Sequence, residues 1–170
     1  FEGETFHSSR YRSGKTYRGK HAVVVGANNS AHDIAQDLWE NDAHVTMIQR
    51  TPSTVVKSGN SRSGVGPYSE AALAMGLTPD LADLLAASVP LRLAPIAARE
   101  ATKRMRQDNA EFYANLEAAG FLLDFGEDET GVGMKYLRRG SGYYIDVGAS
   151  QLVIDGEIGP RDPLLRDIRT

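Results

Sequence analysis

Apolar and polar positions along the first part of the chain predict one strand–helix–strand unit. Residues 21–25 and 44–49 are short apolar runs rich in β-branched side chains, and the first run stops at Gly26. From about Ser30 to Glu40 the apolar positions instead recur at helical spacing. We expect the first run to be a strand buried on both faces. Two strands joined through a helix over about 30 residues form a βαβ unit, so the strands should be parallel.

A helical insertion is predicted after this unit. Residues 54–68 are rich in glycine, serine and basic side chains and predict a loop. Between about residues 69 and 119 the pattern is helical. Two short helical stretches should come first, followed by a longer helix over about 95–119.

Shorter apolar runs mark the last third of the chain. Residues 121–125, 143–147 and 151–154 are each predicted to be strands, and the glycine-rich stretch 126–142 is predicted to be a loop. The chain therefore divides into three parts. These are a lead-in over residues 1–20, an α/β domain over residues 21–158 with the helical insertion at about 69–119, and an irregular tail over residues 159–170.

Composition narrows the classes of partner. The chain has 170 residues, enough for one domain of ordinary size. A net charge of −3 gives no general attraction to nucleic acid or to an anionic membrane. No apolar run approaches the roughly 20 residues of a membrane-spanning helix. We therefore expect no nucleic-acid partner and no membrane association.

The chain contains no cysteine, which excludes disulfides, thiolate metal sites and cysteine nucleophiles from these residues. This composition suits the reducing cytoplasm, where we expect the protein to be. The histidines lack the H-E-x-x-H spacing of zinc hydrolases, and no G-x-S-x-G motif is present, so we predict no metal site. Nothing at the N-terminus resembles a signal peptide. Because the chain does not begin with methionine, we expect a processed product or a piece of a longer protein.

The turn after the first predicted strand carries the main candidate chemistry. It consists of Gly26, Ala27, Asn28, Asn29, Ser30 and Ala31. Dinucleotide-binding turns follow the pattern G-x-G-x-x-G/A between a strand and a helix. Gly26 supplies the first glycine and Ala31 the small third position, whereas Asn28 replaces the middle glycine. Asparagine tolerates a left-handed backbone and its amide can donate to phosphate. The turn thus predicts an anion site at a helix N-terminus within a Rossmann-type parallel sheet.

The end of the second predicted strand indicates which dinucleotide is bound. Folds that bind NAD place an acidic residue there to hold the ribose 2′-hydroxyl. Here the sequence has no acid but has Arg50 and Thr51. The planar guanidinium of Arg50 suits a 2′-phosphate, and the hydroxyl of Thr51 can add a hydrogen bond. We therefore predict NADP(H) as the cofactor. The alternatives are a turn that binds nothing and an arginine that is simply exposed.

The segment before the first strand resembles a family fingerprint. Phe1, Gly3, His7 and Tyr11 match every specified position of F-x-G-x-x-x-H-x-x-x-Y. This pattern resembles the fingerprint of flavin-containing monooxygenases, whose Baeyer–Villiger relatives end it in tryptophan. Residues 136–154 are also similar to a segment of bacterial and fungal members. The resemblance covers most of residues 1–158.

Membership would imply FAD on one dinucleotide-binding domain and NADPH on a second domain inserted into it. In such enzymes NADPH reduces the flavin, which then forms a C4a-(hydro)peroxide with O₂. This species oxygenates a heteroatom or a ketone of a small-molecule substrate. The resemblance assigns to His7 a role in coupling NADPH binding to oxygenation. The alternative is a loop histidine without chemistry.

The departures from the family limit what the chain should do alone. The FAD-binding glycine motif expected upstream of the fingerprint is absent, and residues 159–170 do not align. We expect the NADP(H)-binding portion of an FAD-dependent monooxygenase, with the missing FAD-binding domain as its partner and no activity by itself. Two other functions stay open. One is a non-catalytic dinucleotide-binding or interaction module. The other is an NADP-dependent short-chain-type dehydrogenase, whose Tyr-x-x-x-Lys spacing recurs at Tyr11 and Lys15 but before the glycine turn.

Overall fold

Five strands and seven helices make up the part of the protein that this computed structural model describes, residues 2–58 and 67–160. The strands are β1 (His21–Val25), β2 (His44–Ile48), β3 (Thr54–Lys57), β4 (Tyr143–Asp146) and β5 (Gly159–Pro160). The helices are α1 (Asn29–Glu40), α2 (Glu70–Ala74), α3 (Pro79–Ser88), α4 (Ala94–Asp108), α5 (Ala110–Ala118), α6 (Gly131–Arg139) and α7 (Ala149–Ile154). Two 3-10 turns, Ser8–Arg10 and Gly14–Tyr17, precede β1.

Every strand pair among the described residues is parallel. β1 pairs with β2 from His21 opposite His44 to Val25 opposite Ile48. β2 pairs on its other side with β5, and β3 pairs with β4 in a second, two-stranded sheet. Because α1 joins β1 to β2, the predicted βαβ unit and the α/β class with a parallel sheet are confirmed.

One apolar cluster joins α1 to the sheet and to the later helices. Ala35 and Leu38 of α1 are buried in the same cluster as Met47 of β2, Leu116 of α5 and Val153 of α7. Burying a leucine or methionine side chain stabilises a fold by about 1.5–3 kcal/mol. This packing fixes α1 against the sheet, and it therefore fixes the position of the α1 N-terminus beside the carboxyl ends of β1 and β2.

The expectation that β1 is buried on both faces is wrong. Its side chains alternate between exposed and half-buried, and Val23 and Val25 are 42% and 71% exposed. Ala22 and Val24, which point to the other face, pack against the cluster that contains α1. The face that carries Val23 and Val25 is therefore only partly covered by the described residues.

The helical insertion has the predicted type but one more break than expected. α2, α3, α4 and α5 lie within residues 69–119. The single long helix predicted over about 95–119 is instead divided at Asn109. The Asn109 side-chain amide donates to the Met105 carbonyl at 2.7 Å and so competes with the helical hydrogen bonds at this point.

Two segments predicted to be loops contain regular structure. β3 occupies residues 54–57 of the predicted loop 54–68, and residues 59–66 of that loop lie outside the described residues. α6 occupies residues 131–139 of the predicted loop 126–142. The glycines of that stretch bound the helix: Gly131 opens it, and Gly140, with φ of 63°, ends it in the left-handed region.

Two predicted strands also differ in the structure. Residues 121–125 form only one bridge, between Leu123 and Ser53. Residues 151–154 belong to α7, not to a strand. The Tyr144 hydroxyl accepts hydrogen bonds from the N–H groups of Val147 and Ala149 at 3.1 and 3.3 Å, and this caps the start of α7.

The predicted irregular tail, residues 159–170, begins with the two residues of β5, and residues 161–170 lie outside the described residues. Within residues 2–58 and 67–160, no helix combines the length and the apolar content needed to cross a bilayer. In the same ranges, no three acidic or histidine side chains are grouped so as to hold a metal ion.

Candidate functional site

The glycine turn leaves β1 beside the end of β2. The Gly26 N–H donates to the Ile48 carbonyl at 2.9 Å, which continues the ladder of the parallel pair. Gly26 has φ of 141°, a conformation that favours glycine. A Cβ at Gly26 would lie 3.4 Å from the Cβ of Ala31. The small size of these two residues therefore lets the turn pass close to the first turn of α1.

Asn28, which replaces the middle glycine of the pattern, has an extended backbone with φ of −106° and ψ of −173°. The left-handed conformation that asparagine tolerates is not used here, so the replacement causes no strain. The Asn28 Oδ1 atom accepts a hydrogen bond from the Ser53 hydroxyl at 3.2 Å. This orientation leaves the two N–H groups of the Asn28 amide without a partner among the described residues.

The first turn of α1 has the donors of an anion site. Its first turn contains no acidic residue, and Asn28 precedes it as the N-cap. The main-chain N–H groups of Asn29 and Ser30 come before the first hydrogen bonds within the helix. Ser30 is exposed, whereas Ala27 is buried beneath the turn. Main-chain N–H groups, an amide and the positive end of a helix dipole fit a pyrophosphate group.

The Asn29 side chain has a structural role that the sequence did not indicate. Its Oδ1 atom accepts a hydrogen bond from the Ile145 N–H of β4 at 2.8 Å. The two residues are far apart in the chain, so no local pattern could reveal this contact. The side chain therefore fastens β4 to the glycine turn, and the predicted anion contact of Asn29 would have to use its main-chain N–H.

Arg50 and Thr51 lie in an exposed segment directly after β2. The Gln49 amide holds the start of this segment, because it donates to the Leu122 carbonyl at 2.8 Å and accepts from the Leu122 N–H at 2.7 Å. Ser53 holds the other end through its contact with the glycine turn. The guanidinium of Arg50 makes no ion pair or hydrogen bond with the described residues.

A buried histidine, His32, packs against the glycine turn. His32 is 1% exposed, and its ring stacks on Tyr144 with centroids 3.8 Å apart. Its Nδ1 atom lies 3.2 Å from the Asn28 carbonyl oxygen. Burial lowers the pKa of His32 to about 4, although the contact with Asn28 and the charge of Asp146 act in the opposite direction. His32 is therefore neutral at pH 7 and serves to pack α1 against β4.

The fingerprint segment is fastened to α1 through Asp37. The Tyr11 hydroxyl donates to Asp37 Oδ2 at 2.6 Å, and the Gly14 N–H donates to the same atom at 2.7 Å. Burial, followed by the hydrogen bond to Asp37, raises the pKa of Tyr11. A Cβ at Gly14 would overlap the Asp37 carbonyl oxygen, so only glycine allows this close approach. Tyr11 thus anchors the segment that precedes β1.

His7 lies at the start of the 3-10 turn Ser8–Arg10, within the fingerprint segment. It is exposed, and its Nδ1 atom accepts a hydrogen bond from the Ser9 N–H at 3.2 Å and lies 2.9 Å from the Ser9 hydroxyl. These contacts cap the 3-10 turn Ser8–Arg10. Of the other fingerprint residues, Gly3 is exposed and Phe1 lies outside the described residues. The coupling role of His7 stays a prediction.

An open groove of ≈ 390 Å³ separates the fingerprint segment from the start of α1. Its lining consists of Ser8, Ser9, Tyr11, Ser30, Asp33 and Ile34. The groove is continuous with the glycine turn through Ser30. The site therefore has two neighbours: the segment with Arg50 on the side of Asn28, and the fingerprint groove on the side of Ser30.

Comparison with known proteins supplies the family. Residues 1–113 match the sequence profile described as pyridine nucleotide-disulphide oxidoreductase, and this match includes the fingerprint, the glycine turn and Arg50. The chain belongs to the pyridine nucleotide-disulphide oxidoreductase family. Because the chain contains no cysteine, none of its residues can carry the disulphide chemistry in the family's description.

Curated proteins with similar sequences are monooxygenases. A probable indole-3-pyruvate monooxygenase, YUCCA10 of Arabidopsis thaliana, is 45% identical over 56 residues, which are 33% of this chain and 15% of the relative. Dimethylaniline monooxygenase [N-oxide-forming] 4 of Mus musculus is 41% identical over 68 residues, or 40% of this chain and 11% of the relative. The resemblance to flavin-containing monooxygenases is confirmed. The matched segments span only a small part of the relatives' lengths.

Proposed function

We propose that this chain is the NADP(H)-binding portion of an FAD- and NADPH-dependent monooxygenase. One observation carries the proposal: the glycine turn and Arg50 follow two paired parallel strands and therefore lie at the same edge of the sheet. A pyrophosphate on the N–H groups of the α1 N-terminus would leave the adenosine 2′-phosphate on the side of Arg50. No acidic residue stands beside Arg50 in the sequence to prefer the 2′-hydroxyl of NAD.

In the proposed enzyme, FAD on a separate FAD-binding domain would accept the hydride and activate oxygen. The residues of this chain would bind and orient the hydride donor, and the fingerprint segment would lead to the FAD-binding domain. The relatives are named for indole-3-pyruvate and for an N-oxide-forming reaction. We accordingly propose a small organic molecule as the substrate of the whole protein and the cytoplasm as its location.

Two alternative functions, a short-chain-type dehydrogenase and a non-catalytic dinucleotide-binding or interaction module, are supported to different extents. The contact between the Tyr11 hydroxyl and Asp37 argues against a short-chain-type dehydrogenase, because it commits Tyr11 to a carboxylate on α1 and not to a substrate. A dinucleotide-binding module without catalysis would use the same turn. It differs from the proposal in one respect, since it needs no FAD-binding partner.

Isothermal titration calorimetry with NADPH and with NADH tests the cofactor. We expect NADPH to bind and NADH to bind more weakly. Arg50→Ala should weaken NADPH binding by about 1.5–3 kcal/mol, the scale of hydrogen bonds to charged groups, and leave NADH binding unchanged. Binding of neither nucleotide, or a preference for NADH, would contradict the proposal.

Arg18→Ala is the matched control. Arg18 is exposed and pairs with Asp42 at 3.4 Å, at the amino ends of the strands and therefore at the opposite edge of the sheet. Its loss removes the same charge but should not change NADPH affinity. An equal loss of affinity in the two variants would show that Arg50 acts only through net charge.

A further inference from the structure

We propose that Asp37 is a positioning residue for the dinucleotide. Its carboxylate clamps the fingerprint segment to α1 and thereby sets the width of the groove beside the glycine turn. The inference rests on the proposed function, because it concerns the half of NADP(H) that extends away from Arg50.

Three hydrogen bonds converge on the Asp37 carboxylate. Oδ2 accepts from the Tyr11 hydroxyl at 2.6 Å and from the Gly14 N–H at 2.7 Å. Oδ1 accepts from the Asn41 amide at 3.0 Å, and the same amide donates to the Asp37 carbonyl at 2.8 Å. Asn41 thus fixes the rotamer of Asp37, and Asp37 in turn fixes two points of the segment that precedes β1. Hydrogen bonds to an ionised acceptor are roughly twice as strong as neutral ones.

The clamp acts on the groove through Tyr11. The Tyr11 ring lines the groove, and it stacks on Tyr17 with centroids 6.1 Å apart and an interplanar angle of 14°. Ser8 and Ser9, which form the rest of that wall, belong to the turn directly before Tyr11. The opposite wall belongs to α1, the helix that carries Asp37. A change at Asp37 therefore moves one wall relative to the other.

The groove and Arg50 flank the glycine turn on different sides. Ser53, near Arg50, contacts Asn28, whereas the groove meets the turn at Ser30. If the 2′-phosphate lies at Arg50 and the pyrophosphate on the turn, the nicotinamide half extends toward the groove. Ser8 and Ser9 line the groove on that side, and ribose hydroxyls are suitable hydrogen-bond partners for serine. Asp37 therefore influences the binding of the nicotinamide half of the ligand and not the binding of the adenine half.

Two ligands separate these halves in calorimetry. NADPH contains both, and adenosine 2′,5′-bisphosphate contains only the adenine half with its 2′-phosphate. We expect Asp37→Asn to lower NADPH affinity by about fivefold or more, within the usual range of coupling between sites. The affinity for adenosine 2′,5′-bisphosphate should stay at the wild-type value. If Asp37 only stabilised the fold, its replacement would not lower the affinity for NADPH while leaving the affinity for adenosine 2′,5′-bisphosphate unchanged.

Tyr11→Phe tests the same clamp more gently, because it removes one hydrogen bond and keeps the ring stacked on Tyr17. It should lower NADPH affinity in the same direction, and adding it to Asp37→Asn should cost less than the sum of the two single losses. Asp42→Asn is the control for charge, since Asp42 is exposed and lies just beyond α1. It should leave both affinities unchanged.

Thermal unfolding of each variant shows that the titrated protein is folded. The inference is overturned if both clamp variants bind NADPH as the wild type does. It is equally overturned if they lose the two ligands to the same extent. Failure of the wild-type chain to bind either ligand overturns the proposed function, and this inference with it.

Discussion

His32 provides a pH test of how α1 is held against β4. Its imidazole is 1% exposed, and burial lowers its pKa from 6.5 to about 4. In the unfolded chain the ring is solvated and takes up a proton at its ordinary pKa. Between these two values the unfolded state binds more protons than the folded state. The free energy of unfolding must therefore fall as the pH falls from 6.5 to about 4.

The size of this effect follows from the two pKa values. Each tenfold change in proton affinity corresponds to about 1.4 kcal/mol, so the whole effect is about 3 kcal/mol. This loss of stability is absent above about pH 7 and complete below about pH 4. His32→Phe keeps an aromatic ring stacked on Tyr144 but removes the titration. When the pH is lowered from about 7.5 to 4.5, the free energy of unfolding should fall further in the wild type than in His32→Phe. The difference between the two falls should be most of this ~3 kcal/mol. Two carboxyl groups with lowered pKa, Asp124 and Asp128, are common to both proteins and cancel in the difference.

Urea unfolding followed by far-UV circular dichroism measures the difference at each pH. His21→Gln is the control, because His21 is exposed and its replacement leaves the buried imidazole in place. The control should follow the wild-type profile. Parallel pH profiles for wild type and His32→Phe would refute the burial argument, whatever the stability of the variant at pH 7.

Two further substitutions test how local contacts hold the fold, each by urea unfolding. Gly14→Ala places a Cβ against the Asp37 carbonyl and should cost about 1–3 kcal/mol, whereas Gly133→Ala, in open space within α6, should be neutral or stabilising by up to about 1 kcal/mol. Equal effects of these two changes would show that the lead-in can shift without cost. Tyr144→Phe removes the acceptor for two main-chain N–H groups at the start of α7 and should cost about 1–3 kcal/mol. Tyr143→Phe, which loses no hydrogen bond to a described residue, should cost much less, and a similar loss in both would contradict the capping role.

The βαβ unit could be predicted because its signals are local. The apolar run of β1 ends at a glycine, the helical period of α1 follows at once, and β2 repeats the first pattern. The same locality explains why Gly26 and Ala31 could be interpreted from spacing alone. Their close approach depends only on a strand, a turn and the first turn of a helix.

The errors arise where distant parts of the chain decide the local structure. Residues 151–154 form an apolar run too short to distinguish a helix from a strand. The hydroxyl of Tyr144 and the carboxylate of Asp146 decide for a helix by accepting main-chain N–H groups at its start. Glycine content likewise predicted a loop where α6 forms, because composition does not show that Gly131 and Gly140 are its two ends.

The clamp at Asp37 and the contact of Asn29 with Ile145 were beyond sequence reasoning for a different reason. Both depend on side-chain hydrogen bonds between segments whose relative position follows only from the complete packing. The pattern that marks Asn29 as a member of the glycine turn contains no sign of its partner in β4. The fingerprint likewise specifies Tyr11 without indicating a carboxylate on α1.

The parallel pairing of β3 with β4 sets an order for folding. The βαβ unit closes a short loop, but β3 ends at Lys57 and β4 begins at Tyr143, so their pairing must enclose α2 to α6. Closing a longer loop costs more chain entropy, and distant pairings slow the folding of a domain. The glycine turn should therefore form early, while the contact between Asn29 and Ile145 forms late. Along the folding route, the N-terminal end of α1 should therefore be formed before β4 arrives to hold it.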